Sequence, residues 1–328
     1  MEKKIRARIT GTGSFAPPQV MTNADLEKIV DTSDEWIASR TGIRERRVAN
    51  GMVTSDMAVI AATNALEMAA TNRDEIEMLI LATVTPDYRL PSAACVVQEK
   101  MGLNNAGAFD VVAACTGFIN ALSIASSFIE NGKIKKALVI GVEKLSTFTN
   151  YKDRNTCVLF GDGAGAVVVS AEEGDRGIIN SFIKSDGRYR KLLWSEVGGA
   201  ANPYSESFDF NGNDKIMMNG SDIFKIAVKE MSNATLKVIE DAGLTVDDIA
   251  IVVPHQANIR IIEALAKRIK ISMDKVFLNI EKYGNTSAAS VPLALDEANR
   301  EGRIKDGDYL VMVAFGGGLI WGATLVKW

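Results

Sequence analysis

Short, wholly apolar runs recur along the chain between longer helix-like stretches. Met78-Leu79-Ile80-Leu81-Ala82 is one such run, and a helical stretch near Ser55–Ala70 precedes it. Ala137–Ile140 and Ala166–Val169 have the same character, as do Ile249–Val253 and Tyr309–Val313 in the second half. A strand that is apolar at every position is buried on both faces, which requires helices on both sides of its sheet. The pattern therefore predicts an α/β protein.

The pattern also repeats. Asn131-Gly132-Lys133-Ile134-Lys135 leads into the strand at Ala137, and Glu301-Gly302-Arg303-Ile304-Lys305 leads towards the strand at Tyr309, an offset of 170 (301 − 131). A helix rich in small residues precedes each, Thr116–Ile129 and Thr286–Arg300. Asp74-Glu75-Ile76-Glu77 and Asp247-Asp248-Ile249-Ala250 lead into paired strands at an offset of 173 (247 − 74). Two duplicated halves are expected, residues 1–172 and 173–328. The 170 offset carries Cys115 onto Asn285, and the 173 offset carries Ala82 onto His255. Cys115 and Asn285 are therefore expected to start equivalent helices, with His255 just past a strand end. Pseudo-twofold packing of the halves would bring all three to the centre, near strand carboxyl ends where α/β proteins bind ligands.

Composition narrows the function. The 328 residues are 47% hydrophobic, ample for a large core. A charged fraction of 24% and a net charge of −4 argue against disorder and against a globally nucleic-acid-seeking protein. No apolar run reaches membrane-spanning length, and Gly11, Gly13 and Pro17-Pro18 follow the basic start Met1–Arg8 where a signal peptide would be apolar. A cytoplasmic protein is expected. Three cysteines without a C-x-x-C and a single histidine leave little for a metal site, and none is expected.

Three residues stand out for chemistry. Cys115, in Val111-Val112-Ala113-Ala114-Cys115-Thr116-Gly117-Phe118, falls where a strand-like run meets a helix-like one. A helix N-terminus stabilises a thiolate, and small neighbours leave room for a substrate. His255, the only histidine, follows Ile251-Val252-Val253-Pro254. It is placed to hydrogen-bond a carbonyl oxygen or move a proton. Asn285, in Tyr283-Gly284-Asn285-Thr286-Ser287, reads as a helix N-cap on its own and as a second oxyanion donor beside His255 once the repeat is considered. Each of the three also has an ordinary structural reading.

Two glycine runs and one basic helix complete the set. Phe315-Gly316-Gly317-Gly318 offers a backbone that approaches a ligand closely. Gly161–Ala166 lacks the G-K-[ST] ending of a phosphate loop and is expected to be a tight structural turn. Arg260–Lys270 reads as an amphipathic helix whose Arg260, Lys267, Arg268 and Lys270 suit an acidic partner.

Taken together, the chain resembles the β-ketoacyl-acyl-carrier-protein synthase III family, along essentially its whole length. The stretches are Thr22–Lys28, Thr32-Ser33-Asp34-Glu35-Trp36-Ile37, Arg40–Arg46, Ala114-Cys115-Thr116-Gly117-Phe118, Gly161–Ala166, Pro254–Ile261, Gly284–Ser290 and Ala314–Gly322. The resemblance implies the thiolase-like fold, two duplicated halves in a five-layer α-β-α-β-α arrangement. It implies Cys115 as acyl-accepting nucleophile, His255 and Asn285 as the decarboxylation pair, and Gly317 N–H as an oxyanion donor. It further implies a coenzyme A tunnel at Thr32, Trp36, Arg40, Arg154, Phe224 and Asn258, and a carrier-protein patch at Arg260, Lys267 and Arg268. No cofactor is implied, because the coenzyme A thioester is a substrate. Acyl-CoA and malonyl-acyl-carrier protein are the implied substrates, acyl-carrier protein the partner, and a homodimer the assembly, with the region near Tyr88–Pro91 beside the partner's acyl pocket. The implied function is the initiating condensation of bacterial fatty-acid synthesis. A related Cys-His-Asn polyketide-type condensing enzyme or acyltransferase is the alternative within this class. A Cys-His-Asn hydrolase and a non-catalytic acyl-CoA or carrier-protein binding module stay open outside it.

Overall fold

The computed structural model describes residues 4–204 and 212–328. The start of the basic segment, Met1–Lys3, lies outside the described residues. Two sheets form the frame. The first contains β1 (Ile5–Phe15), β2 (Met78–Ala82), β3 (Gly107–Val111), β4 (Lys136–Glu143) and β5 (Gly163–Glu173), in the order β1-β5-β4-β2-β3. The second contains β6 (Gly177–Ser185), β7 (Ile249–Pro254), β8 (Tyr309–Gly316) and β9 (Ile320–Lys327), in the order β6-β9-β8-β7. In each sheet the first two pairings are antiparallel and the next is parallel. Among the described residues the second sheet thus repeats the first without an equivalent of β3. An isolated bridge from Val252 to Val276 marks that edge instead.

The longer helices are α1 (Asp34–Thr41), α2 (Thr54–Met68), α3 (Ala93–Met101), α4 (Gly117–Glu130), α5 (Gly220–Glu240), α6 (Ile259–Ile269) and α7 (Ser290–Arg300). Six of them sort into three layers, while Ile37 of α1 packs in a separate cluster with Ile43, Leu145 and Phe160. Met57, Ala61 and Ala65 of α2 and Val97 of α3 pack on Leu79, Leu81, Leu138 and Ile140 from one face of the first sheet. Phe118, Ile119 and Leu122 of α4 and Val291 and Leu295 of α7 fill the space between the sheets. They meet Ile80 and Val139 on one side and Ile251 and Met312 on the other. Met231 and Val238 of α5 and Ile262 and Leu265 of α6 cover the outer face of the second sheet, on Val252, Val311 and Leu325. This is the α-β-α-β-α arrangement. It explains the continuous apolar strands: odd and even positions each face a helical layer. A fully buried Leu, Ile or Phe side chain contributes about 1.5–3 kcal/mol, so the central layer anchors both halves.

The duplication is real, but its register differs from the sequence expectation. Helix α4 has 14 residues and α7 has 11. Their starts are 173 apart (290 − 117) and their ends 170 apart (300 − 130). The longer loop before β8 restores the 173 spacing at the strands, 309 − 136. The 170 offset therefore holds only at the helix carboxyl ends. Cys115, at an amino end, has Ala288 as its counterpart, and Asn285 lies three residues earlier. Ala82 and His255 remain equivalent, one at the end of β2 and the other immediately after β7.

Gly161–Ala166 is also not simply a turn, since Gly163–Ala166 already belong to β5. A Cβ at Gly165 would lie 2.5 Å from the Leu293 nitrogen, and one at Gly161 2.4 Å from the Tyr283 oxygen. These glycines let α7 and its approach lie directly on the first sheet.

Candidate active site

Cys115 lies in a short 3₁₀ turn, Ala114–Thr116, and α4 begins only at Gly117. The turn is entered through Ala114 at φ +45°. Its counterpart, Ser287–Ala289, precedes α7 and is entered through Ser287 at φ +48°. Left-handed backbone at a non-glycine residue costs roughly 1–2 kcal/mol, and tight packing holds it in place. A Cβ on Gly316 would lie 2.7 Å from the Cys115 nitrogen, so the end of β8 presses on the turn.

His255 follows the last residue of β7, and its backbone N–H donates to the Val313 carbonyl at 2.8 Å. Gln256 fixes the turn beyond it. Its N–H donates to Ser290 Oγ at 2.7 Å, and its amide donates to the Pro254 and Phe277 carbonyls. Asn285 is tied by its main chain to Leu159 and Gly161. Its Oδ1 accepts from the Ser287 N–H at 2.9 Å. The N-cap role expected of Asn285 is not met, because Thr286 precedes the 3₁₀ turn and Ala289 precedes α7; the bond instead closes a side-chain turn onto the backbone two residues on. It also fixes the amide orientation and leaves Nδ2 as the free, donating end.

Cys115, His255 and Asn285 line one cavity of about 120 Å³ together with Phe224, Asn258 and Phe315. A second cavity of about 310 Å³ meets the first at Cys115; Gly317, Ser287, Leu145, Phe148 and Trp194 line it. A larger polar groove of about 710 Å³, with Asn64, Asp296 and Arg300, lies elsewhere and contains neither the cysteine nor the histidine.

Burial sets the protonation states. His255 is 2% exposed, and the absence of water drives its pKa down to about 3, so the imidazole is neutral. Its Nδ1 is buried without a partner among the described residues. Cys115 is 7% exposed, and burial pushes its thiol up to about 12. The Ser287 hydroxyl opposes that shift and the nearby Glu143 carboxylate reinforces it. The expectation of a thiolate stabilised at rest by a helix start therefore fails. Thr116 separates Cys115 from the start of α4, and desolvation is the largest influence on the thiol.

Glu143 was not singled out from the sequence. It ends β4, is 0% exposed and accepts from Thr85 Oγ1 at 2.6 Å, Ser287 Oγ at 3.2 Å and the Val84 N–H. Burial raises its pKa to about 7. The available signal was an acid closing the apolar run Ala137–Val142.

The remaining expected residues fall into two groups. Trp36 has the guanidinium carbons of Arg40 and Arg154 at 4.8 and 5.0 Å from its ring centroid, a cation–π cluster. Arg154 also donates to the Asp31 carbonyl at 2.8 Å, and the Thr32 hydroxyl beside it is buried and unpartnered among the described residues. This cluster lines neither cavity at Cys115. It is set beside them because Gly42, which ends α1, packs against Ile259 at the start of α6; a Cβ there would approach Ile259 Cβ to 2.8 Å. Asn258 caps α6 through Oδ1 to the Arg260 N–H at 2.9 Å and lines the smaller cavity. Arg260, Lys267 and Arg268 are exposed on α6, opposite its buried Ile262 and Leu265.

Fold and cavity define a condensing enzyme of the thiolase fold, an acyltransferase. Residues 109–187 match the profile of 3-oxoacyl-[acyl-carrier-protein] synthase III, and residues 239–328 that of its C-terminal part. A β-ketoacyl-[acyl-carrier-protein] synthase III of Caldanaerobacter subterraneus subsp. tengcongensis is 53% identical, covering 100% of this chain and 99% of the relative. The crystal structure of the Aquifex aeolicus 3-oxoacyl-[acyl-carrier-protein] synthase III superposes with a TM-score of 0.92 at 49% identity, covering 98% of this chain and 100% of that one. A priming β-ketosynthase of the R1128 polyketide pathway gives 0.92 at 34% identity, covering 100% of this chain and 98% of that one. The chain belongs to the β-ketoacyl-[acyl-carrier-protein] synthase III family, the condensing enzymes that initiate fatty-acid synthesis. Among the described residues, no helix is long and apolar enough to cross a membrane.

Proposed function

We propose that the protein condenses a short acyl-CoA with malonyl-acyl-carrier protein through an acyl-Cys115 intermediate. The observation that carries this reading is the convergence of Cys115, His255 and the amide of Asn285 on one cavity. Cys115 sulfur attacks the thioester carbonyl, the Gly317 and Cys115 N–H groups hold the oxyanion, and coenzyme A leaves. Malonyl thioester then occupies the place of coenzyme A. Neutral His255 and Asn285 Nδ2 hydrogen-bond its carbonyl, carbon dioxide departs, and the enolate attacks acyl-Cys115. A neutral imidazole suits this role because it donates without charging the cavity. The apolar cavity beside Gly317 takes the acyl chain.

Trp36 and Arg154 clasp the adenine of coenzyme A, with Thr32, Arg40, Phe224 and Asn258 at other positions in its tunnel. Arg260, Lys267 and Arg268 receive acyl-carrier protein. The halves divide at 172/173, the enzyme needs no cofactor or metal, and it works in the cytoplasm as a homodimer. Support for the dimer comes from β3, an edge strand, and from Leu90 and Val112, exposed by 87% and 77% beside it. Relatives of both fatty-acid and polyketide pathways share the fold, and the 53% identity to a fatty-acid enzyme favours the first.

A thiol-release assay tests the reading. Acyl-CoA alone is expected to give a burst of one free thiol per site, with turnover only when malonyl-carrier protein is added. Sustained release without malonyl substrate would indicate a hydrolase, and no release would indicate a binding module.

A further inference from the structure

The mechanism above leaves one proton without an owner. Cys115 rests as a thiol, and His255, held neutral with a depressed pKa, is a poor base. A buried carboxylate lies on the other side of the cysteine. Glu143 Oε1 is 3.2 Å from Ser287 Oγ, and the Ser287 hydroxyl lines the same cavity as Cys115 and acts on its thiol. We propose that Glu143 is the proton acceptor for Cys115, acting through the Ser287 hydroxyl, and that it stores the proton while the enzyme is acylated. This rests on the reading of Cys115 as nucleophile.

The proton path is closed. As the Cys115 S–H bond breaks, its proton passes to Ser287 Oγ while the Ser287 O–H proton passes to Glu143 Oε1. The sulfur lone pair forms the S–C bond, and the carbonyl π electrons move to oxygen. On collapse the C–S bond to coenzyme A breaks, and coenzyme A leaves as a thiolate that water protonates. Later the enolate attacks acyl-Cys115, and Cys115 departs with its bonding pair. It recovers the stored proton from Glu143 through Ser287. In the acylated state Glu143 is neutral, so no negative charge opposes the malonyl carboxylate or the enolate.

The surroundings fit this use. The groups facing Glu143 are the Thr83 and Thr85 hydroxyls and the Val84 N–H from the segment after β2, Ser287 from the turn before α7, and Cys115. The cation next to it in the chain, Lys144, points its Nζ at the Met52 carbonyl, 2.5 Å away. Among the described residues no arginine or lysine therefore holds Glu143 ionised, and burial leaves its pKa near 7, where a general base is most effective. Below that pH the pair carries two protons and the thiol has no acceptor. Above it one proton is shared and the thiol can react. Acylation should rise through this step and then level.

Glu143 does not touch the substrate, so its test must separate proton transfer from support of the turn. Cys115 is alkylated with iodoacetamide across pH 5.5–9.5, and its own peptide is quantified by mass spectrometry, which excludes exposed Cys95. The wild type should show a step near the Glu143 pKa. Glu143→Gln keeps a side chain of equal size and should lose the step, with the rate at pH 7.5 falling at least tenfold. Ser287→Ala should show the same loss, and the double variant should be no worse than either single one. Glu143→Asp should recover part of the rate. Unchanged pH dependence in Glu143→Gln or in Ser287→Ala would overturn the proposal, as would additive losses. If Glu143→Gln fails to fold, Ser287→Ala alone decides it. Alkylation uses no acyl substrate, so a failure here is distinct from a failure of the proposed reaction.

Discussion

Ala114–Thr116 and Ser287–Ala289 are the same 3₁₀ turn built twice, 173 residues apart (287 − 114), and each meets a strand end from the opposite half. The partners differ. Against the Cys115 turn stands Gly316, the last residue of β8, with no side chain. Against the Ser287 turn stands its equivalent Glu143, the last residue of β4, with a buried carboxylate. Duplication supplied the scaffold twice, and one pair of positions set the difference. The glycine lets the end of β8 close directly onto Cys115, while the acid places a titratable group against Ser287. In the proposed reaction the two halves divide the labour, the nucleophile coming from the first and the decarboxylation pair, His255 and Asn285, from the second.

The largest effect should come from breaking that division. His255→Ala and Asn285→Ala should each lower malonyl decarboxylation by about 10²–10³-fold, the loss typical of one oxyanion donor. Acyl transfer to Cys115 should change far less. Separate assays of the two half-reactions check this, and equal losses in both would erase the distinction between the halves.

A smaller effect is expected from restoring a side chain where the second half has none. Gly316→Ala places a carbon 2.7 Å from the Cys115 nitrogen, where backbone on both sides has no room to yield. Overpacking of this kind costs about 1–3 kcal/mol, measurable as a lower urea midpoint, and acylation should fall with it.

The buried titratable groups of the two halves should pull stability in opposite directions with pH. Glu143 has a folded pKa near 7 against an ordinary 4.5, so its contribution is full below pH 4.5 and is lost as pH rises through 7. His255 has a folded pKa near 3 against an ordinary 6.5, so its contribution is present above pH 6.5 and is lost as pH falls towards 3. Glu143→Gln removes only the first effect. Wild type should therefore lose stability relative to this variant between pH 5 and pH 8, as read from urea unfolding. The smallest effect belongs to the surface. Arg260→Glu, Lys267→Glu or Arg268→Glu should each raise KM for the carrier-protein substrate a few-fold, less at high salt, with kcat for acylation untouched.

Much of this was legible in the sequence. The apolar strands and the repeat predicted two duplicated α/β halves with helices on both faces of each sheet, because burial on both faces leaves a direct trace at every strand position; the five layers were implied by the family resemblance. The convergence of Cys115, His255 and Asn285 on one cavity was legible too, although the register was not. The 170 spacing is genuine at the ends of α4 and α7, but α7 is shorter by a turn, so the offset fails at their starts. Glu143 stayed hidden because one acid at a strand end looks like solvent exposure until the turn from the other half covers it. The Cys115 pKa was misjudged for a related reason. A helix start is visible in sequence, and the desolvation that outweighs it arises from residues far along the chain.

The central claim is that Cys115 carries the acyl group. Intact-protein mass spectrometry after incubation with acetyl-CoA, followed by peptide mapping, tests it most directly. One acetyl group on the Cys115 peptide is the predicted result, absent from Cys115→Ala while that variant still decarboxylates malonyl-carrier protein. Acetylation of Cys115→Ala at another residue, or condensation with no adduct on Cys115, would contradict it.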